Sequence, residues 1–236
     1  MKMIGMLGGM SWESTSTYYR AINEGIRKTL GGLHSARIVL YSVDFEEIEK
    51  LQHAGDWDST AVILTQAAQA VEAGGADFLL ICTNTMHKVA PQVEAGIKIP
   101  LIHIADATAE QLLIDGVKKV GLLGTRFTME QEFYRERLTQ RFGIEVVIPE
   151  QSERELVHRV IYDELCLGKI ETKSRSQYMS IIANMANAGA QAIVLGCTEI
   201  ALLVEQQHAD IPLYDTTQLH CEKAVRLATA LEPSHC

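Results

Sequence analysis

The sequence predicts an α/β protein made of two similar parallel-sheet units. Three observations carry that expectation. Short runs rich in Ile, Leu and Val alternate with helical patterns along the chain. The runs are continuous rather than alternating, the pattern of strands covered on both faces in parallel sheets. Landmarks of the first half also recur in the second. Gly5 in "KMIGML" is answered by Gly121 in "KKVGLL", Cys82-Thr83 by Cys197-Thr198, and Pro100 by Pro212, at offsets of 116, 115 and 112 residues. Repetition at so steady a spacing indicates two copies of one architecture.

Each element has a local reason. Strand-like runs lie at 2–7, 36–42, 77–82, 100–104, 118–123, 144–148, 191–196 and 211–214. Helical patterns occupy 12–29, 57–73, 128–141, 152–166, 172–188 and 215–230. Ser11 is placed to cap the first helix, and Asp44 to cap a helix after the second run. Gly74-Gly75 stops the helix at 57–73. Thr128 and Gln131 in "TMEQ" have the spacing of a capping box. Strand–helix alternation implies right-handed crossovers. With no linker-like stretch, the units are expected at 1–103 plus 213–236 and at 104–212, related by a pseudo-twofold with the active site in the cleft between them.

Composition narrows the function. The 236 residues are 47% hydrophobic and 22% charged, with a net charge of −9. That balance suits a soluble protein and argues against nucleic acid, whose phosphates require a basic surface. It also argues against a polybasic membrane contact. No run of about 18 apolar residues is present to span a bilayer, and the N-terminal region lacks a signal-peptide pattern. Five cysteines, odd in number and widely spaced, read as reduced thiols of a cytoplasmic protein. There is no C-x-x-C or H-E-x-x-H, so no metal is expected.

The glycines of "IGMLGGMSWES" follow a strand and precede a helix, but their G-x-x-G-G spacing is not a dinucleotide fingerprint. Glycines there let a backbone approach a ligand, and the following helix favours an anion. "LLGTRFTME" offers the same from the second unit, with Thr125 and Thr128 as hydroxyl donors.

Cys82 and Cys197 both end apolar strands, where parallel sheets bind ligands. Two thiols flanking one small molecule suit inversion of a carbon acid. One thiolate takes the proton from one face of Cα, and the other thiol returns one to the opposite face. A free thiol titrates at roughly 8.5, and a helix N-terminus is expected to lower it by about one or two units. The residues following, "TNT" and "TE", supply donors for an α-carboxylate and a developing enediolate.

"LLGGMSWEST", "CTNTMHK", "LLGT" with "TMEQEFY", and "GCTEI" resemble the aspartate/glutamate racemase family, most closely its L-aspartate/glutamate-specific or broad-specificity amino-acid branch. The resemblance runs from Lys2 to about Glu222. It implies a racemase without pyridoxal phosphate or any other cofactor, commonly a homodimer, acting on a small amino-acid substrate. It implies Cys82 and Cys197 as acid/base residues. It implies Thr83, Asn84, Thr85, Thr198 and Glu199 as substrate-holding residues, with Met10, Ser11 and Thr125 lining the site. Aspartate-selective members carry basic residues where this chain has Gln52 and Cys166. Glutamate, or neutral residues such as homoserine, then join aspartate as expected substrates.

Blander roles stand beside these. Cys166 reads as packing or cleft lining rather than a third catalytic thiol, and Cys221 and Cys236 as incidental. Trp12, Tyr18 and Tyr19 read as helix packing first and as cleft lining second. His87 reads either as a tuner of Cys82 or as a helix-surface residue, and Glu199 as a dipole-favoured carboxylate or a proton relay. Two other function classes remain open. One is an isomerase or decarboxylase of the same superfold, which needs only one thiol. The other is a two-domain binding protein, which needs none.

Overall fold

The structure, a computed structural model, describes residues 1–230. Seven strands and their helices form two compact units, Met1–Ile104 joined by the segment from His220, and Ala105–Leu219. The reading of Cys236 lies outside the described residues.

In the first unit, β1 (Ile4–Gly8) lies between β2 (Ile38–Ser42) and β3 (Phe78–Ile81), all parallel. Around them run α1 (Trp12–Leu30), α2 (Phe45–Ala54), α3 (Trp57–Ala73) and α4 (Ala90–Ala95). The second unit opens in α5 (Ile104–Ile114) and builds a four-stranded parallel sheet. Its strands are β4 (Lys119–Gly124), β5 (Glu145–Val147), β6 (Ala192–Gly196) and β7 (Leu213–Asp215), in the order β5-β4-β6-β7. Its helices are α6 (Arg126–Glu130), α7 (Glu132–Glu136), α8 (Gln151–Asp163), α9 (Thr172–Asn187) and α10 (Ile200–Leu203). Last comes α11 (Thr216–Thr229).

The caps follow from local chemistry. Ser11 accepts the Ser14 N–H at the start of α1, Asp44 accepts the Glu46 N–H before α2, and α3 stops at Gly74. Two expectations are corrected. The run 100–104 is no strand: Leu101 alone bridges to Leu79, and the chain turns into α5 at Ile104. The helix expected at 128–141 starts at Arg126 with Thr125 as its cap, so Thr128 lies inside it, and it breaks at the extended Gln131. The chain also rejoins the first unit at His220 rather than at 213, because β7 pairs with β6.

β1, β3, β4 and β6 carry the core. Successive side chains point to opposite faces, so Ile4, Met6, Phe78, Leu80 and Cys82 pack with Tyr18 and Ile22 of α1 and Ala224 of α11. Leu7, Leu79 and Ile81 pack on the other face with Leu64 and Val71 of α3. Deleting one such side chain to Ala costs about 2–5 kcal/mol. β2 departs from the double-covered pattern: it is an edge strand, and Leu40 and Tyr41 are exposed.

The internal repeat extends to individual hydrogen bonds. Leu79 donates its N–H to the Pro100 carbonyl at 2.9 Å, and Ile193 donates to Pro212 at 2.8 Å. Asp77 donates to Met3 and Gln191 to Lys119, both at 2.8 Å. Gly5 and Gly121 are equivalent too. A Cβ on Gly5 would lie 2.6 Å from Val71 Cγ1 of α3, and one on Gly121 2.9 Å from Met185 Sδ of α9, so each glycine lets a helix close on the sheet.

Among the described residues no helix is long and apolar enough to cross a membrane. A buried polar element also ties α1 to α11 in the first unit. His220 is fully buried; its Nδ1 meets the Tyr18 hydroxyl at 2.8 Å and its Nε2 the Ile102 carbonyl at 2.7 Å. Burial first, and the neighbouring His87 second, push its pKa from the usual 6.5 down to about 3. The unfolded chain takes that proton below about 6.5, while the fold refuses it until about 3. Stability is therefore complete above that window and falls as pH drops through it, by at most about 1.4 kcal/mol per pH unit. Urea melts between about pH 7 and about pH 5 should show this slope. His220→Gln, whose amide can still donate to Ile102, should flatten it; an unchanged slope would assign the acid sensitivity elsewhere.

Candidate active site

The expected site residues gather at the carboxyl ends of the strands in each unit. In the first unit, Met10 and Ser11 follow β1, while Cys82, Thr83, Asn84 and Thr85 follow β3. The two segments are tied together: Cys82 donates its N–H to the Leu7 carbonyl at 2.9 Å, and its own carbonyl accepts from Ser14 Oγ at 2.8 Å. Met10, Asn84 and Thr85 are buried, while Ser11 and Thr83 are half-buried. Gln52, on α2, is 3% exposed, and its side-chain Nε2 has no hydrogen-bond partner.

The glycine loop differs from expectation. Gly9 has a φ of +91°, and its N–H is taken by Thr15 Oγ1 at 2.8 Å. A Cβ there would sit 2.3 Å from the Val43 carbonyl oxygen. Close packing within the unit thus accounts for this glycine without a ligand. Trp12 and Tyr19 are also corrected: at 68% and 54% exposure they do not pack, and Tyr18 alone of the three is buried.

In the second unit, Thr125 follows β4 and Cys197, Thr198 and Glu199 follow β6. Thr125 spends its hydroxyl oxygen as the cap of α6, accepting the Thr128 N–H at 3.4 Å. Thr198 Oγ1 meets Thr217 Oγ1 at 3.1 Å, and Thr216 donates to the Leu195 carbonyl at 2.9 Å. Sequence reasoning missed Ser14, Thr216 and Thr217. All three are hydroxyls in the first turn of a helix beside a strand end, a signal indistinguishable from ordinary capping.

Strand register sharpens the comparison of the two cysteines. Gly5 is level with Leu79 and Gly121 with Ile193. Continuing in step, Cys82 is the counterpart of Gly196, so Cys197 stands one residue further on. "GADFLLIC" and "GAQAIVLGC" show the extra residue, Gly196. In a strand, one residue reverses the face. Accordingly Cys82 packs with Phe78 and Leu80 against α1 and α11, whereas Cys197 packs with Ile193 and Leu195 in the cluster of Val157, Tyr178 and Met185.

The electrostatics also differ. Burial among apolar side chains pushes the Cys82 thiol well above its ordinary range. Cys197 is half-buried and donates its Sγ–H to Glu199 Oε2 at 2.9 Å. Desolvation, then the Glu199 charge and hydrogen bond, then Cys166, raise it well above the usual value. The helix-lowered thiolate expected from the sequence is therefore corrected: both groups are thiols at neutral pH. The elements after them are a five-residue 3₁₀ turn at Thr85–Val89 and the four-residue α10, too short for a helix dipole to offset desolvation. Cys166 packs against the same cluster as Cys197, and Cys221 is buried beneath α1.

Comparison with known proteins identifies the class: the protein is an enzyme, an isomerase of the racemase type. Its sequence matches the Asp/Glu/Hydantoin racemase family over residues 7–224, and the chain belongs to that family. A candidate Asp/Glu racemase from Yersinia pestis is 54% identical in sequence and superposes with a TM-score of 0.93, over 98% of this chain and 100% of that one. PH1733 of Pyrococcus horikoshii, an aspartate racemase homologue, is 34% identical with a TM-score of 0.87, over 98% and 100%. The broad specificity amino-acid racemase RacX of Bacillus subtilis is 22% identical over 224 residues, 91% of this chain and 93% of that protein.

The thiol–carboxylate contact makes a direct prediction. Glu199→Gln removes a negative charge that raises the Cys197 pKa. Alkylation of Cys197 by iodoacetamide near neutral pH should then quicken by about threefold or more, as the thiolate fraction rises. Peptide mass spectrometry reads Cys197 and Cys82 separately; Cys82 should be unaffected, and an unchanged or slower Cys197 would deny the coupling.

Proposed function

We propose that this protein interconverts the L- and D-enantiomers of amino acids, without a cofactor, by proton transfer at Cα between Cys82 and Cys197. The observation that carries the reading is the recurrence of Cys-Thr at the ends of β3 and β6 in two units of matching design. Inversion at a carbon requires a base on one face and an acid on the other. Two groups of the same kind can exchange those roles as the reaction runs in either direction.

The raised thiol pKa values fit a substrate that brings its own cation. An α-ammonium group near a buried thiol favours the thiolate, so the base forms when the substrate is bound. Glu199, 2.9 Å from Cys197 Sγ, is a ready partner for that ammonium or for the proton that the thiol gives up. Thr83, Asn84 and Thr85 after one strand, and Thr198 after the other, supply donors for the carboxylate as it gains enediolate character. Met10, Ser11 and Thr125 line the substrate region.

Glutamate and aspartate are the proposed substrates, with neutral amino acids such as homoserine also accepted. Gln52 supports this range, because its buried amide offers a donor without a positive charge. The broad specificity named for RacX supports it as well. The enzyme is proposed to act as a homodimer in the cytoplasm, where its cysteines stay reduced.

Incubation with L-glutamate or L-aspartate in deuterated water should place deuterium at Cα while the D-enantiomer accumulates, followed by chiral chromatography. Cys82→Ser and Cys197→Ser should each abolish racemisation; wild-type turnover by either variant rules out the two-thiol mechanism. Gln52→Leu, which removes the donor at similar volume, should raise KM for glutamate about fivefold, the effect of about one hydrogen bond, and change kcat less. Equal KM values would remove Gln52 from the site.

A further inference from the structure

His87 lies five residues beyond Cys82, in the turn Thr85–Val89, and is 1% exposed. It is therefore no helix-surface residue. Its ring nitrogens face two backbone groups of opposite character. Nδ1 is 2.8 Å from the Thr83 carbonyl oxygen, and Nε2 accepts the Ile104 N–H at 3.2 Å. A carbonyl can only accept and an amide N–H can only donate. Those partners assign the proton to Nδ1 and leave the lone pair on Nε2.

The ring is also held from the sides. His103 lies 4.4 Å away and His220 5.8 Å away, centroid to centroid, and both are buried. His220 in turn fixes the Ile102 carbonyl, two residues before the Ile104 N–H that His87 receives. The anchor on which His87 rests is thus itself pinned by a second imidazole.

We propose that His87 is a positioning residue for Cys82. Through the Thr83 carbonyl it fixes the Thr83–Asn84 peptide, the second after the thiol, in the turn that displays Thr83, Asn84 and Thr85. The two peptides that flank Cys82 are held already, one by Leu7 and the other by Ser14. His87 completes the clamp where regular strand pairing has ended. This inference rests on the proposed role of Cys82 in proton transfer.

Two substitutions separate the contacts of the ring. The amide nitrogen of His87→Asn falls near Nδ1 and can still donate to Thr83, but it cannot reach Ile104. The amide of His87→Gln falls near Nε2 and can accept from Ile104, but it leaves the Thr83 carbonyl unheld. We expect His87→Gln to lose about tenfold or more in kcat, with KM changed less, because proton transfer is sensitive to small displacements of the acting group. His87→Asn should recover most of that loss, even where thermal melts show it to be no more stable than His87→Gln. In the wild-type enzyme, ¹⁵N resonances of His87 should report a proton on Nδ1.

Equal kcat for the two variants, or an Nε2-protonated ring, overturns the proposal, and the wild-type spectrum decides it even if a variant folds poorly. Cys82→Ser, assayed alongside, separates the two levels of argument. If it is inactive while the Asn and Gln variants agree, only the role of His87 fails. If it turns over like wild type, the two-thiol reading fails and the positioning role with it.

Discussion

A strand covered on both faces has only its end to offer. β1, β3, β6 and, after Lys119, β4 are apolar along their lengths and packed on both sides, so polar chemistry has nowhere to go within them. It collects where hydrogen-bonded pairing stops and the chain must turn. Every residue proposed for catalysis or substrate binding follows such an end, except Gln52, which stands on the helix after the edge strand β2. The hydroxyls of Ser14 and Thr216 answer the same constraint, satisfying carbonyls where pairing runs out: Cys82 just past β3, and Leu195 opposite the last residue of β7.

Within that frame the two units are alike in scaffold and unlike in chemistry. Their first three strands, mid-strand glycines Gly5 and Gly121, and proline-linked hydrogen bonds correspond. Their thiols do not. One is set among apolar side chains of α1 and α11, and its high pKa comes from desolvation alone. The other shares its surroundings with a carboxylate and a second cysteine. A proposed acid/base pair built this way has two members whose pKa values are raised by different causes, and a preference between enantiomers would originate in those unlike surroundings rather than in shape alone.

Much of this was legible in the sequence, and the exceptions are instructive. The α/β class, the double unit and the Cys-Thr pair follow from period and repetition, which local chemistry enforces. The run 100–104 was misread because a short apolar stretch after proline suits a strand and a helix start equally, and only the bridge at Leu101 distinguishes them. Trp12 and Tyr19 look like core residues by type, yet α1 turns them outward because Tyr18, Ile22 and Ile26 occupy its buried stripe. The environment of His87 depends on Ile104 and His220, distant in sequence, and no local pattern announces it. The thiol pKa direction was missed for the same reason: desolvation is a property of the packed unit, whereas the helix dipole had been inferred from the chain alone.

Gly196 carries a consequence for how the two halves relate as modules. A single added residue before Cys197 places it on the opposite side of its sheet from Cys82. No substitution within the strand achieves that reversal; only an insertion or deletion does. The halves are therefore not interchangeable cassettes. Grafting the strand-and-turn of one into the other would carry its thiol to the wrong surface, with every following side chain out of phase by one. The two halves differ in their chemistry through a difference in length.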